Sequence, residues 1–293
     1  MDLEDWHQLA GRAIRRPGWD EPHDEFERQV DDTLSLLREL GVHATFFVLG
    51  ITARNHPRAV ERIAADAHEI ACHGWAHVPA WKQTASEFRR DVEQGLSVLE
   101  AIGTAAPSGY RAPAFSLTSR TPWAFQTLAE LGFSYDSSHY DSPRIPDRFA
   151  SSCAPYCIEG STRQTVLELP VAVARIAGRS LPIGGGSYWR VLPHAVILRG
   201  IEQLAVDQGF PVLYFHPYEL GRRPLRLTLP PESRVRMRAV AAWKMTRYNP
   251  GRGRVTRLLR ETAERFRLMS CAEALPELEG IRRSPGEPVA ATA

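Results

Sequence analysis

Ala44-Thr45-Phe46-Phe47-Val48-Leu49-Gly50 is a continuous apolar, β-rich run that stops at a glycine. A strand with one wet face alternates polar and apolar residues. A run without alternation predicts a strand buried on both faces, as in a parallel sheet covered by helices. The flanking sequence agrees. Residues 26–40 place Val30, Leu34, Leu36, Leu37 and Leu40 at helical spacing and stop at Gly41. Downstream, the spacing predicts a helix over 57–67, a short strand over 68–72, a long amphipathic helix over 84–102 and a strand end at 108–111. A helix over 121–131, closed by Gly132, and a strand over 133–136 follow. Strands and helices alternate, which argues for parallel βα units.

The second half is less regular. Residues 143–162 read as loop, 166–169 as a strand ending at Pro170, 193–208 as a helix and 212–215 as a buried strand. Residues 232–248 and 254–266 read as helices. Residues 8–24, with Pro17, Gly18 and Pro22, read as a loop. No Pro/Gly/Ser linker divides two cores, so one barrel-like domain over 1–281 is the economical reading. The tail 282–293 lacks apolar spacing and is expected to be disordered. Residues 1–3 read as the end of a strand. Either the natural start lies upstream or the first strand is a stub.

The composition excludes several classes. The chain has 293 residues, 43% of them hydrophobic, enough for a sizeable core. Its 36 basic and 34 acidic residues leave a net charge of +2, which is no electrostatic footprint for nucleic acid. No apolar run is long enough to make a transmembrane segment, and residues 1–20 are too charged for a signal peptide, so the expected location is cytoplasmic. Of the four cysteines only Cys153 and Cys157 are close, and no second pair completes a zinc knuckle. Reduced thiols are expected, with a loop disulfide left open. The oligomeric state is not legible.

The chemistry-bearing residues fall at the predicted strand ends, where barrel enzymes carry their sites. His73-Gly74-Trp75-Ala76-His77 sets two imidazoles four apart, a spacing at which one helical turn can grip one ion. The chain opens with the acids of Asp2-Leu3-Glu4-Asp5-Trp6. Gly109-Tyr110-Arg111-Ala112-Pro113 follows the histidines, and the run 212–215 leads into His216. Carboxylates, two imidazoles, an arginine and a distal histidine form the toolkit of metal-assisted hydrolysis. On a strand, residues i and i+2 share a face, so Asp2 and Glu4 point the same way.

Taken in order, these motifs, with Thr45–Gly50, Tyr135-Asp136-Ser137-Ser138 and Phe215-His216-Pro217, resemble the polysaccharide deacetylase family, the carbohydrate esterase group with a nodulation-type deacetylase domain. Asp2–Trp6, the stretch 184–193 and Tyr218-Glu219 resemble its branch associated with exopolysaccharide and exosortase loci. The resemblance covers about residues 1–270 and implies a distorted (β/α)7 barrel.

It also implies roles. Asp2 would be the catalytic base and Arg111 the residue that holds it ionised. His73 and His77 would hold a divalent metal, with zinc the expected ion. Glu4 or, by analogy with members that carry adjacent aspartates, Asp5 would complete the ligand set. Ala114 would supply an oxyanion-hole amide and His216 the proton for the leaving amine. Asp136 would either orient a catalytic group or tie the barrel together. Gly184–Gly186 is no P-loop, since no Gly-Lys-Ser/Thr follows. Beyond it, Tyr188, Trp189 and Arg190 are candidate sugar contacts, with His7, Trp75, Trp81 and Tyr140 as further cleft candidates. The implied partner is an N-acetylated carbohydrate. The rival readings are a cyclic-amide hydrolase of the allantoinase-like branch and a non-catalytic carbohydrate-binding protein.

Overall fold

The computed structural model describes residues 1–278 except 15, 17, 146, 148–153, 160–164, 177, 222, 228 and 230–232. The expected tail and Cys153, and with it the open disulfide, lie outside the described residues.

Strands β1 (Asp2–Leu3), β2 (Thr45–Val48), β3 (Glu69–Cys72), β4 (Gly109–Tyr110), β5 (Tyr135–Asp136), β6 (Tyr156–Glu159) and β7 (Thr165–Glu168) form one sheet in the order β1-β2-β3-β4-β5-β7-β6. All neighbours pair in parallel except β6, which runs antiparallel on the outer edge of β7. Residues 212–215 close the ring as a seventh parallel stave. Val171, just past β7, bridges Val212 in parallel, and Asp2 N–H donates to the Phe215 carbonyl at 2.8 Å. A separate hairpin, β8 (Val173–Ile176) and β9 (Arg179–Pro182), stands outside the ring.

Helices α1 (Trp6–Ala13), α2 (Asp24–Leu40), α3 (Gly50–Asn55), α4 (Pro57–Ala65), α5 (Ala85–Ala101) and α6 (Trp123–Glu130) follow the early strands. Then come α7 (Ser187–Val191), α8 (His194–Gln208), α9 (Pro217–Leu220), α10 (Val235–Tyr248), α11 (Arg252–Arg265) and α12 (Cys271–Ala274). The stop foreseen at Gly41 is present: it ends α2 in the left-handed region at φ 63°. Thr84, with Glu87, makes a capping box at the start of α5. The main core packs Leu3, Phe46 and Val48 against Phe26, Val30 and Leu34 of α2 and against Ile197 and Ile201 of α8. The mixed α/β ring thus agrees with the expected barrel.

Several local expectations need correction. Residues 6–13 are helical rather than loop: Asp5 caps α1, and Trp6, Ala10 and Ile14, at i, i+4 and i+8, pack together under it. The loop expected over 143–162 contains β6. The seventh stave is buried only at Tyr214 and Phe215. Val212 and Leu213 are half-buried, because they line an apolar cavity of about 460 Å³ at the opening end of the barrel, with Met1, Ala44 and Phe210.

The glycine run 184–186 has a structural reason. Gly185 bridges Tyr214, and a Cβ there would lie 1.9 Å from the Tyr214 carbonyl oxygen, with φ at 146°. Only a glycine lets this turn lie on the seventh stave. Gly185→Ala should therefore destabilise the fold by roughly 2 kcal/mol or more. Urea unfolding followed by circular dichroism measures this, and an unchanged midpoint would show that the turn does not hold the stave.

Candidate active site

The closing ends of the staves converge on one group of ionisable side chains. Asp5 starts α1 directly after β1, and its Oδ1 accepts the His7 N–H at 2.8 Å. This turn leaves Asp2 and Glu4 on the inner side, with Leu3 between them in the core. Asp2 Oδ1 accepts from Arg111 Nη1 at 2.7 Å. Glu4 Oε1 lies 3.0 Å from His73 Nε2 and 2.9 Å from His77 Nε2.

The two histidines do not lie on a helix. They sit on the loop after β3, with Gly74 at φ 75° and His77 at φ 55°, both left-handed. The reason is the close approach of α5. Asp91 accepts the Trp75 N–H at 2.9 Å, and a Cβ on Gly74 would lie 2.5 Å from the same carboxylate oxygen. Arg12 of α1 donates to the Ala76 carbonyl from the other side. The pair therefore converges by a pinned loop rather than by helical pitch.

His73 Nδ1 donates to the Arg111 carbonyl at 2.6 Å. A carbonyl only accepts, so Nδ1 carries a proton and Nε2 is the nitrogen left to face Glu4. Nε2 of His73, Nε2 of His77 and a carboxylate oxygen of Glu4 thus converge on one point. The donor set fits a divalent metal. Another acid–imidazole group, His7, His23 and Glu25, fits less well: its rings stack 3.4 Å apart at 5°, so their in-plane lone pairs run side by side.

Arg111 is 1% exposed. Its Nε donates to the Ser137 carbonyl at 2.8 Å, its Nη2 to Ser137 Oγ at 2.7 Å, and its guanidinium lies 4.1 Å above the Phe47 ring. Burial by itself pushes the Asp2 carboxyl up, but Arg111, His73 and His216 outweigh it and hold it below its ordinary value. Burial opposes ionisation of Glu4 too, yet His77 and His73 hold it well below the usual range.

His216 ends the seventh stave. Its Nε2 is 3.5 Å from Glu4 Oε2 and 4.0 Å from Asp2 Oδ2. Its Nδ1 is 2.9 Å from Glu219 Oε2, which also accepts the His216 backbone N–H at 3.2 Å. Burial lowers the affinity of this imidazole for a proton, but the Glu219 hydrogen bond, with Glu4 and Asp2, raises its pKa to about 9. Glu219 was missed in the sequence as a functional residue. The signal was the His-x-x-Glu spacing, a capping box in which the acid reaches back to the start of α9.

The remaining candidates divide. Ala114 is exposed at φ 56°, just beyond Pro113 at the mouth. Tyr188 is half-buried beneath Arg144, whose guanidinium is 5.1 Å from its ring. Trp189 is not a cleft wall: it is 0% exposed, donates its indole N–H to the Ile183 carbonyl and packs edge-on to Phe215. Arg190 is buried as well, with Nη1 donating to the carbonyls of Arg247 and Tyr248. Asp5 is no neighbour of the imidazole pair, because it caps α1 and faces His56 Nε2 at 3.8 Å. Asp136 accepts from Ser138, whose Oγ in turn accepts the Ala112 N–H, so it ties β5 to the loop after β4. His7 pairs with Glu25, Trp75 lies beneath Arg54, Trp81 is half-buried at the core edge and Tyr140 is buried against Phe115 and Tyr214.

Residues 20–135 match the polysaccharide deacetylase family, and residues 133–274 match a domain of unknown function (DUF3473). The first match begins after the acids and ends before His216. A chitooligosaccharide deacetylase of Sinorhizobium fredii is 35% identical over 133 residues, 43% of this chain and 59% of that one. A peptidoglycan-N-acetylglucosamine deacetylase of Bacillus cereus is 33% identical over 94 residues, 32% of this chain and 33% of that one. The chain thus spans between a third and three-fifths of the length of these relatives. Among solved structures, a candidate polysaccharide deacetylase from Mycobacterium smegmatis superposes with a TM-score of 0.57 at 24% identity, covering 89% of this chain and 81% of that one. Puue allantoinase does so with 0.56 at 14% identity, covering 94% and 82%. Both likenesses show the fold alone.

The cap assignment separates Asp5 from Glu4. Asp5→Ala should cost about 1 kcal/mol of stability through the lost cap and leave zinc binding unchanged, as read by thermal melts and by titration of chelator-stripped protein with zinc. Loss of zinc binding in Asp5→Ala, with Glu4→Gln unaffected, would return the ligand role to Asp5.

Proposed function

We propose that this chain, whose residues 20–135 match the polysaccharide deacetylase family, is a metal-dependent hydrolase that removes N-acetyl groups from amino sugars of a bacterial polysaccharide or its precursor. The observation that carries this reading is the convergence of His73 and His77 on one oxygen of Glu4, beside the Asp2–Arg111 ion pair. Glu4, His73 and His77 would hold the ion, and this two-imidazole, one-carboxylate set favours zinc. When bound, such an ion polarises the acetyl carbonyl and acidifies a water.

The chain's own groups supply the proton transfers. Asp2, kept ionised by Arg111, accepts a proton from the attacking water. Arg111 is fixed by Ser137 on one side and Phe47 on the other, so it aims the carboxylate rather than neutralising a moving substrate. The amide N–H of Ala114 is the proposed oxyanion donor at the open mouth. As the carbonyl carbon–nitrogen bond breaks, His216 Nε2 gives its proton to the departing amine, leaving a free amino sugar and acetate. Glu219 keeps that imidazole protonated and turned inward. Tyr188 is the proposed sugar contact among the three residues first considered. An exopolysaccharide as substrate remains part of this proposal, carried by the sequence resemblance.

His73→Ala and His77→Ala should each lose bound zinc, while Asp2→Asn keeps zinc and loses turnover on N-acetylated chitooligosaccharides. Acetate release and metal analysis together read this, and full zinc occupancy in both histidine variants would overturn the ligand assignment. A second expectation concerns the proton donor. His216→Ala should lower kcat about 10²- to 10⁴-fold on the amide and much less on an activated ester. A donor with a raised pKa works below that value and fails above it, so kcat should fall as pH rises through about 9. Glu219→Gln should draw this alkaline limb toward the ordinary histidine value of 6.5. An unmoved limb would mean that another group donates the proton.

A further inference from the structure

Charge is distributed unevenly along this chain. Between Leu220 and Arg260 there are twelve Arg or Lys residues and one acidic residue, Glu232, in a chain whose net charge is only +2. The remainder is therefore acidic on balance, and the positive charge is concentrated around α10 and α11. Part of it is internal: Arg252 donates to the Arg223 carbonyl, Arg254 to the Leu192 carbonyl, and Arg260 pairs with Glu39. At the start of α10 and along it, Arg234, Arg236, Arg238 and Arg247 are exposed, with Arg238 Nε donating to the Ser233 carbonyl at 3.1 Å, and no acidic residue lies between Ser233 and Arg260 in the sequence.

Helix α10 also has two apolar faces. Ala241 is buried, and Met237, Val240, Met245 and Tyr248 pack inward against Trp6, Ala10 and Tyr218. The opposite face carries Val235, 83% exposed, and Trp243, 55% exposed, with exposed Ala239 and Ala242 between them. Positions 235, 239, 242 and 243 fall on one side of a helix. Arg236 and Arg247 flank that stripe on one edge and Arg238 on the other, and the Arg247 guanidinium lies 5.3 Å from the Trp243 ring. A solvated face would carry mixed charge and no exposed tryptophan. An outward helix face with an exposed valine and tryptophan, small residues and one threonine between them, and arginines along both edges is the pattern of a helix that lies in a lipid interface.

We propose that the outer face of α10 docks the protein on the surface of a bilayer containing anionic lipids, with Val235 and Trp243 entering the headgroup layer and Arg236, Arg238 and Arg247 binding phosphates. The placement gives the docking a consequence. Tyr248 at the end of α10 contacts Tyr218 and Trp6, and the Tyr218 ring stacks on His216 at 4.7 Å. A docked α10 therefore sits two ring contacts, Tyr248 and Tyr218, from His216. On the deacetylase reading above, this suits an acetylated sugar carried on or near a membrane. The docking itself does not depend on that reading.

The experiment is vesicle co-sedimentation of the full chain. Vesicles of phosphatidylglycerol and phosphatidylcholine should bind the protein, and pure phosphatidylcholine should not. Binding should weaken as salt rises, because the attraction to the surface is screened. The double variant Arg236→Glu with Arg238→Glu should reduce partitioning at least about tenfold. Trp243→Ser should remove the quenching of protein fluorescence by brominated lipid. Arg236→Gln, a milder change, should give an intermediate loss with an unaltered thermal melt. In all three variants turnover on a soluble N-acetylated chitooligosaccharide should be unchanged, and absence of turnover in the parent as well would count against the deacetylase reading alone. Equal binding to neutral vesicles, undiminished binding by the charge-reversed variant, or capture by a soluble polyanion without vesicle binding would overturn the proposal.

Discussion

The buried guanidinium of Arg111 is the constraint around which the site is built. Arg111 touches four staves. Its guanidinium pairs with Asp2 of β1, lies over Phe47 of β2 and donates to Ser137 beyond β5, and its backbone carbonyl accepts from the His73 imidazole just past β3. A cation so far from water is tolerable only if its charge and its donors are matched. Asp2 supplies the charge and Ser137 the acceptors. Removing Asp2 would leave an uncompensated buried charge, a defect of about 3–5 kcal/mol. The same contacts fix the base and the tautomer of His73. Stability and function therefore constrain the same atoms, and the register of β1 against β2, Asp2 opposite Phe47, is what lets one side chain serve both.

Electrostatics follow from that arrangement. Two carboxylates and three imidazoles stand within a few ångströms of one another, mostly out of water. Burial opposes the charged form of Asp2, Glu4, His77 and His216. What wins is opposite charge: Asp2 and Glu4 are pulled below their ordinary values, while His77 and His216 are raised. The acids are thus poised to accept or to ligate, and His216 is poised to donate. Pairs of groups driven apart in this way are the mark of a divided acid and base. Glu219 adds a bias that the central acids do not supply, because it acts on the Nδ1 side of His216 and leaves Nε2 to face the mouth.

The sequence was most informative where one physical rule dominated. The unbroken apolar run at 44–49 could only be an interior strand, and its alternation with helices carried the barrel. The glycine stop at Gly41 placed the end of α2. The i, i+2 rule put Asp2 and Glu4 on one side, and they do share it, although β1 itself covers only Asp2–Leu3. Legibility failed where tertiary contact decides. Nothing local says that the His73–His77 segment is a left-handed loop, because its shape comes from Asp91 on α5 and Arg12 on α1. Trp189 and Arg190 read as cleft residues from their chemistry, but the close turn at Gly185 carries them under the seventh stave. The β8–β9 hairpin and β6 were invisible because they lie outside the ring, where no two-sided burial marks them.

The two ends of the barrel show how unequally the ring is built. At the closing end, Asp2, His73, Arg111 and Ser137 come from four staves and each is held by a group from another. At the opening end, between β2 and the seventh stave, the wall gives way to the apolar cavity reached by Met1, Thr45, Val212 and Leu213. The seventh stave is held there by single bridges rather than by a continuous ladder. Hydrogen bonds and ion pairs are therefore concentrated where the ionisable groups meet, and the seventh stave's ladder is looser at the far end. This division has a physical reason. A misplacement of an ångström at the mouth would separate His216 from Glu4 and Asp2, whereas an imperfect ladder at the far end loses only a few backbone bonds. The glycine turn at 184–186 serves this division, since it presses on Tyr214, two residues before His216, and so steadies the seventh stave at the end that matters.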